Sequence, residues 1–218
     1  MTARPFPPAV LELAAAGRLG EPVRMFRPRP GRRLLAVVPR RARPLPVYLF
    51  EGGLVRPPDE VYRWAELSGV VAAGVRRRRR GRTRWLVTIE TADGRAARLE
   101  DGLADVERLG EVIVAEVMRR VVPAYVSTVE NGGTVEVGPF IVSAKGVEKD
   151  AELVPWPAVR EVGMSNGVVY VRRVDQVITI AATAARMPNA AAFIALCRHL
   201  AARRGDLTHA DLGDAAPP

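Results

Sequence analysis

The sequence predicts an α+β protein made of two tandem units, each a bent antiparallel sheet or small barrel capped by a C-terminal helix. Residues 49–70 and 141–162 read as two copies of one pattern: an apolar strand, a glycine followed by an aliphatic residue, a polar turn and a tryptophan. An internal repeat of this kind determines the architecture of the whole chain. Further strand-like runs and one amphipathic helix follow in both copies. A small sheet has to cover its apolar face, and the helix after the last strand is available to do so.

The two copies share a glycine and a tryptophan, at Gly53 and Trp64 in the first copy and at Gly146 and Trp156 in the second. Equivalent positions of a repeat usually do the same structural work, and a tryptophan buries a large apolar surface. We therefore interpret these four residues as folding determinants rather than as ligand contacts.

The repeat divides the chain into four predicted segments. They are an N-terminal helical segment at 1–19, a first domain with a long C-terminal helix at 20–131, a second domain at 132–205 and a flexible tail at 206–218. The tail is small and polar and ends in two prolines, which is typical of a frayed terminus.

Local signals place the elements of the first copy. A short helix is expected at Pro8–Gly17, with proline in its first turn and Gly17 at the C′ position. A strand at Tyr62–Val75 is expected to bend near Gly69, and Asp93-Gly94 predicts a hairpin turn. The other strands are expected at Glu21–Met25, Arg33–Val38, Val47–Phe50, Leu54–Val55, Trp85–Thr91 and Ala96–Leu99.

A long helix is expected from Asp105 to the Asn131-Gly132-Gly133 stop signal, with Pro123 kinking or ending it. Its apolar face consists of Val106, Leu109, Ile113, Val117 and Val121, which recur at helical spacing. Four acidic residues near its start are expected to complement the helix dipole: Asp101, Asp105, Glu107 and Glu111.

The second copy is expected to be short of strands at its start, so that its barrel stays open or is completed by the first domain. Strands are predicted at Thr134–Val137, Phe140–Ser143, Val147–Trp156 with an internal turn, Val159–Met164, Val168–Arg172 and Val177–Ala181. A last helix follows Asn189, which is a good N-cap residue. The apolar face of that helix consists of Phe193, Leu196, Cys197 and Leu200.

The largest difference between the copies is a run of seven arginines: Arg76, Arg77, Arg78, Arg79, Arg80, Arg82 and Arg84. From Trp64 to the turn glycine Gly81 is 17 residues, whereas the matching interval from Trp156 to Gly167 is 11. The six extra residues nearly coincide with the run, which predicts a protruding basic hairpin. Guanidinium groups bind phosphates bidentately, so we expect this hairpin to hold an anionic lipid or other phosphate surface. Non-specific binding to nucleic-acid phosphates and a solvated loop without a partner remain open alternatives.

Charge is unevenly distributed along the chain. Residues 1–100 contain 21 arginines and 9 acidic residues, whereas residues 101–218 contain 12 basic and 15 acidic residues. Such an asymmetry favours an anionic partner for the first copy. The excess also fits compositional drift, because only two basic residues of the chain are lysines. The distinguishing observation is whether the hairpin joins Arg24, Arg27, Arg40, Arg41 and Arg43 in one patch.

Trp85, beside the arginine run, has two interpretations. It can insert at an interface, or it can pack in the core. Its place in the alternating pattern of Trp85, Val87 and Ile89 favours the core.

Residues suited to catalysis or to holding a metal or cofactor are scarce. Cys197 lies on the apolar face of the last helix and is expected to be a buried, inert thiol. His199 is close to it in sequence, but no third metal ligand is near. No glycine-rich segment has the lysine of a phosphate loop, and no serine lies in a nucleophile elbow. The sequence therefore predicts a protein that is not an enzyme and has no metal or cofactor.

Several motifs of the second copy resemble a known family. These are Gly133-Thr134-Val135-Glu136-Val137-Gly138-Pro139-Phe140, Lys145-Gly146-Val147, Val154-Pro155-Trp156 and Met187-Pro188-Asn189. They are similar to those of an uncharacterised actinobacterial family of tandem pleckstrin-homology-like domains of the bacterial and GRAM type. The resemblance covers roughly residues 18–204 and implies a seven-strand barrel with a helix cap, twice, without catalytic residues. The first copy departs from it because Trp64 has no preceding proline and its hairpin is longer.

Together these features predict a non-catalytic binding or scaffolding module. The concrete hypothesis is peripheral binding of anionic lipid through the Arg76–Arg84 hairpin, in the cytoplasm and at the inner face of the membrane. The alternatives are a protein–protein interaction module with incidental arginines and, in third place, non-specific nucleic-acid binding. The start of the sequence has no signal-peptide pattern, and no apolar run approaches the ~18 residues of a transmembrane span.

Overall fold

The computed structural model describes residues 6–29, 45–76, 83–100, 102–174 and 180–211. The chain forms two compact units, Met1–Val117 and Met118–Pro218. The described residues include three α-helices and fourteen strands, and the strands form four antiparallel sheets. The predicted α+β class is confirmed.

The first unit contains two antiparallel meanders. Its elements are helix α1 (Pro8–Ala16), strands β1 (Pro22–Phe26), β2 (Val47–Phe50), β3 (Gly53–Arg56), β4 (Glu60–Arg63), β5 (Leu67–Arg76), β6 (Thr83–Thr91) and β7 (Ala96–Glu100), and the start of helix α2 (Val106–Glu130). Strands β1–β4 form one sheet and β5–β7 form another. The predicted strand at Arg33–Val38 lies outside the described residues.

The prediction of one bent strand over Tyr62–Val75 is wrong. A 3₁₀ turn at Trp64–Glu66 ends β4 and leads the chain into β5 of the second sheet. The cause is the buried Trp64 side chain, whose indole Nε1 donates to the Glu51 carbonyl 2.9 Å away. That bond turns the chain back towards the β2–β3 connection. A bulge between Leu67 and Gly69 then adjusts the register of β5 against β6.

Helix α1 covers one face of the β1–β4 sheet. Its buried Val10 and Ala14 pack in one cluster with Tyr48, Phe50 and Val55. The predicted helix is confirmed, but Gly17 does not adopt the left-handed conformation expected of a C′ glycine. Gly17 is right-handed, and Arg18 takes the left-handed conformation (φ 53°). A Cβ on Gly17 would lie 2.9 Å from Val61 Cγ1, so glycine is needed there for close packing.

Helix α2 buries the predicted stripe, with Val106, Leu109, Ile113 and Val117 all inaccessible and Val121 half-buried. Gly110 brings the helix close to the β5–β7 sheet, since a Cβ there would lie 2.8 Å from Val87 Cγ2. The helix continues into the second unit, where Val129 belongs to the core. The predicted stop is confirmed: the helix ends at Glu130, and Gly132 has a φ of 82°.

The second unit repeats the order of elements. Its strands are β8 (Val135–Val137), β9 (Phe140–Val142), β10 (Gly146–Lys149), β11 (Glu152–Pro155), β12 (Val159–Ser165), β13 (Val168–Arg173) and β14 (Ile180–Thr183), and helix α3 (Ala190–Asp211) follows. Strands β8–β11 form a four-stranded sheet and β12–β14 a three-stranded sheet. The expectation that this copy is short of strands at its start is therefore wrong, because its first sheet has four strands like that of the first unit. Helix α3 also extends to Asp211, into the segment predicted as a flexible tail.

The core of the second unit combines both sheets with α3. The register aligns one row of buried valines across the first sheet: Val135, Val142, Val147 and Val154. The predicted helix face is confirmed, since Phe193, Leu196, Cys197 and Leu200 are all buried. The rings of Phe140 and Phe193 stack with centroids 4.5 Å apart. Burial of one such side chain stabilises the fold by about 1.5–3 kcal/mol.

Candidate functional site

Within the part of the chain that the structure describes, the β5–β6 hairpin continues past the last pair between β6 and β7. Among the described residues, which do not include Asp101, β6 pairs with β7 as far as Leu86↔Glu100, whereas β5 and β6 continue for three more pairs. These pairs are Gly74↔Trp85, Val75↔Arg84 and Arg76↔Thr83. At about 3.3 Å per residue, this part of the hairpin, the overhang, is about 10 Å long.

The corresponding hairpin of the second unit has no overhang. Its last pair is Ser165↔Val168, and β14 reaches the same level through Val168↔Thr183. Asn166 and Gly167 make a two-residue turn with positive φ angles of 50° and 75°. The hairpins differ because β5 and β6 have 10 and 9 residues against the 7 and 6 of β12 and β13.

The predicted arginine site falls partly on the overhang. The backbones of Arg76 and Arg84 belong to its last two pairs. Arg77, Arg78, Arg79, Arg80 and Arg82 lie outside the described residues.

Trp85 belongs to the first of these three additional pairs. It is paired with Gly74, which is exposed. Trp85 is half-buried, whereas Val87 and Ile89, the next residues on the same side of β6, are inaccessible. The core interpretation of Trp85 therefore holds only in part.

The arginines proposed to extend the basic patch are only partly described. Arg24 donates to Asp105 Oδ2 at 2.9 Å, and its guanidinium lies 5.1 Å from the centre of the Phe26 ring. Arg27 is exposed. Arg40, Arg41 and Arg43 lie outside the described residues. Asp105, predicted to complement the helix dipole, thus forms an ion pair with β1 as well.

A charged network that sequence reasoning missed connects the two sheets of the first unit. Arg63 Nε donates to the Gly17 carbonyl at 2.8 Å, and its Nη1 donates to Glu66 Oε1 at 2.8 Å. Arg95 reaches the other Glu66 oxygen at 3.2 Å and Asp93 Oδ2 at 2.8 Å. These residues come together only in the folded chain, so their spacing in the sequence did not indicate the network.

The carboxyl group of Asp93 in this network has a lowered pKa. The hydrogen bond from the Thr91 hydroxyl, followed by that from Arg95, lowers the pKa of Asp93 to about 2. The same partnership raises the pKa of Arg95. A pocket of about 280 Å³ adjoins the network and is lined by Leu13, Ala16, Gly17, Val61, Arg63, Glu66 and Arg95. Two arginines balance two carboxylates here, so the network is a neutral clamp rather than an anion site.

A second polar cluster lies on the β12–β14 sheet. Tyr170 donates its hydroxyl to Glu161 Oε1 at 2.6 Å, and Arg172 donates to Glu161 Oε2 at 3.0 Å. The hydrogen bond from Tyr170 lowers the pKa of Glu161 and, with burial, raises that of Tyr170. Arg172 also stacks 4.7 Å from the centre of the Tyr170 ring. The charge of Arg172 is therefore compensated by Glu161 within the same unit.

The four repeat residues have matching surroundings in the two units. Trp156 Nε1 donates to the Ser143 carbonyl at 3.1 Å, across the same sequence separation of 13 residues as the bond from Trp64 to Glu51. A Cβ on Gly53 would lie 2.2 Å from the Tyr62 carbonyl oxygen, and one on Gly146 would lie 2.2 Å from that of Val154. These contacts are internal to each unit.

The residues considered for chemistry are dispersed. Cys197 is buried, and burial raises the pKa of its thiol, whereas His199 is exposed. Among the described residues, no three or more histidine, cysteine or acidic side chains group as metal ligands would. Within the same ranges, no helix is long and apolar enough to cross a membrane.

Comparison with known proteins identifies a family. No curated protein and no solved structure matches the chain significantly. Residues 32–205 match the profile of DUF6585, described as a family of unknown function. That range covers most of both units, so the chain belongs to the DUF6585 family of unknown function.

Proposed function

We propose that this chain is a non-catalytic binding module that associates peripherally with anionic lipid surfaces through its Arg76–Arg84 hairpin. The observation that carries the proposal is that, among the described residues, β5 and β6 continue for three pairs beyond the last pair of β6 with β7. The arginine run joins two residues that are paired at the end of this overhang, Arg76 and Thr83. Charges held away from the body of a protein can approach a flat surface without steric conflict.

Charge supports the same proposal. A basic residue near an anionic leaflet contributes about 1 kcal/mol of binding free energy. The described arginines next to acidic partners, such as Arg24, Arg95 and Arg172, are compensated internally. The hairpin run contains seven arginines and no acidic residue between positions 76 and 84. It is therefore the segment best suited to an anionic surface, and the cytoplasmic leaflet is the surface we propose.

The order of elements supports the expected domain type. We propose that residues 20–131 and 132–205 are tandem pleckstrin-homology-like domains. Each unit has a four-stranded and a three-stranded antiparallel sheet among its described residues, followed by a helix that buries an apolar stripe. An experimental structure of the full chain tests this proposal, since each domain must close its two sheets around its own helix.

Vesicle sedimentation tests the binding function. The full chain is mixed with phosphatidylcholine vesicles with and without phosphatidylserine, and compared with the variant in which Arg76–Arg80 are all replaced by Ser. The matched control replaces five exposed arginines elsewhere by Ser: Arg18, Arg27, Arg119, Arg160 and Arg186. Both variants have the same net charge, so their difference isolates position.

We expect the native chain and the control to sediment with anionic vesicles only, and the hairpin variant to bind at least about tenfold more weakly. Equal binding by the hairpin variant and the native chain contradicts the proposal. Binding of double-stranded DNA without binding to vesicles favours the nucleic-acid alternative. A protein partner that the hairpin variant holds as tightly as the native chain favours the interaction module.

A further inference from the structure

We infer that the outer face of the β8–β11 sheet binds a basic amphipathic helix of a partner protein, independently of the hairpin. The inner face of this sheet contains the buried valine row, and side chains alternate between the two faces along each strand. The outer face has one aligned row of residues, which we call the mixed row: Glu136, Ile141, Glu148 and Leu153. Ile141 and Leu153 are 37% and 41% exposed. Glu136 is exposed as well, and Glu148 is half-buried.

The corresponding row of the first unit lies under helix α1. Glu148 and Val55 both lie two residues after the shared glycine. Leu153 and Val61 both lie three residues before the shared tryptophan. Strand pairing completes the row of the first unit as Met25, Tyr48, Val55 and Val61. These residues pack in one cluster with the buried side of α1, so this face of the first sheet holds a nine-residue helix.

Helix α1 of a second copy does not suit the mixed row. It contains no basic residue and one acidic residue, Glu12, so its charge is not complementary to the two glutamates. In the first unit, Arg63 holds the end of α1 because its Nε donates to the Gly17 carbonyl 2.8 Å away. The residue that precedes the tryptophan of the second unit is Pro155, which has no side-chain donor. The mixed row therefore fits a helix of different composition.

The charges of the mixed row determine the kind of partner. No ion pair between described residues involves Glu136 or Glu148. Lys149, which follows Glu148 in the chain, pairs with Asp150 instead. Two carboxylates at the surface attract basic side chains and repel anionic lipid. Because the whole chain has a net charge of +9, a basic helix is attracted here by the local charge rather than by the field of the whole molecule.

The spacing of the mixed row fits the periodicity of a helix. Ile141 and Leu153 lie two strands apart, a separation of about 10 Å. In a helix laid across the strands, residues i and i+7 are about 10.5 Å apart. Apolar residues at these two positions contact Ile141 and Leu153, and a basic residue at i+3 or i+4 contacts Glu148 between them. A basic residue one turn before position i contacts Glu136, so the partner helix alternates basic and apolar residues along one face.

Peptide binding to the full chain tests the inference. The probe is a fluorescein-labelled peptide of about 14 residues, near the shortest length of a stable helix, with lysines and leucines in this pattern and alanines elsewhere. A second peptide replaces its lysines by glutamates. Fluorescence anisotropy compares the native chain with three double variants, whose circular dichroism must equal that of the native chain: Ile141→Ser with Leu153→Ser, Glu136→Gln with Glu148→Gln, and the control Glu12→Gln with Glu107→Gln. The control removes the same charge from two exposed glutamates elsewhere.

We expect the native chain and the control to bind the lysine peptide equally, and both variants of the mixed row to bind it at least about tenfold more weakly. The native chain should bind the glutamate peptide at least about tenfold more weakly than the lysine peptide. Equal binding by the row variants and the control, equal affinity for the two peptides, or no binding of the lysine peptide overturns the inference. A dimer of the native chain that Ile141→Ser with Leu153→Ser abolishes makes a second copy the occupant and overturns it as well. None of these outcomes involves vesicles or the hairpin, so the function proposed above is tested separately.

Discussion

At the scale of single residues, the two units are stabilised by the same local device. Each buried tryptophan donates its indole N–H to a carbonyl at the turn between the second and third strands of its unit. Each shared glycine lets the facing strand approach to a distance that no Cβ allows. The hydrogen bonds of the two tryptophans and the close contacts of the two glycines all lie inside their own units. Functional differences between the copies must therefore come from other residues.

Asp93 gives a residue-scale prediction about pH. The Thr91 hydroxyl is the main cause of its low pKa of about 2. A carboxyl group whose pKa is lowered by folding stabilises the fold above its unfolded pKa, near 3.9, and loses this effect as the pH falls through the folded value. The Asp93 contribution should therefore disappear between about pH 4 and pH 2.

Thr91→Val tests the cause. Valine has nearly the same shape as the buried threonine but has no hydroxyl to donate. A carboxyl ¹³C NMR titration should place the midpoint of Asp93 near 2 in the native chain and closer to 3.9 in the variant. An unchanged midpoint would show that Arg95 alone is responsible.

At the scale of elements, α1 is part of the first unit rather than a separate segment. It contributes Val10 and Ala14 to a cluster on the β1–β4 sheet, and Phe6 contacts the Tyr48 and Phe50 rings with centroids 5.4 Å away. The corresponding sheet of the second unit instead exposes Ile141 and Leu153 beside Glu136 and Glu148. The face of the β1–β4 sheet that α1 covers is apolar, whereas this exposed face of the β8–β11 sheet has both apolar and charged side chains.

Neighbouring substitutions on α1 test its contribution to stability. Val10 is 3% exposed and Leu11 is 41% exposed. Val10→Asp buries an unpaired charge and should lower the free energy of unfolding by about 3 kcal/mol or more. Leu11→Asp should change it by less than about 1 kcal/mol. Urea unfolding followed by circular dichroism compares the two, and equal losses would contradict the docking of α1.

The elements that were predictable from sequence have strong local signals. The stripe on α2 and the face of α3 recur at helical spacing, and the hairpin turns Asp93-Gly94 and Asn166-Gly167 have the expected glycines. The 3₁₀ turn at Trp64 was missed, because it depends on a hydrogen bond to Glu51 in another part of the chain. The position of α1 was missed for the same reason. Alternating burial does not reveal which face of a sheet a distant helix covers.

The candidate site divides in the same way. The arginine run and its extra length are visible in the sequence, whereas the overhang depends on where β7 stops pairing with β6. The Arg63–Glu66–Arg95 network could not be anticipated, since its members meet only through the packing of two sheets and α1. Local periodicity has no information on such long-range contacts.

At the scale of the whole molecule, the copies share an order of elements but differ in charge. The arginine excess belongs to residues 1–100, and the rest of the chain is mildly acidic. In the described parts of both units, the hairpin of the first unit continues past the last pair with its third strand, whereas that of the second ends level with its third strand. We therefore propose a division of labour in which the first unit contacts the anionic surface and the second unit supports or recruits.

The salt dependence of vesicle binding tests this account most directly. The native chain, the variant with Arg76–Arg80 replaced by Ser and the matched five-arginine control are titrated with anionic vesicles at rising salt concentration. Salt screens charges beyond a Debye length of about 8–10 Å at physiological strength, so binding through the charges of the arginine run must weaken steeply as salt rises. The account predicts a steep, shared salt dependence for the native chain and the control, and a shallow one for the hairpin variant. Binding that is indifferent to salt, or the same slope for all three proteins, would contradict it.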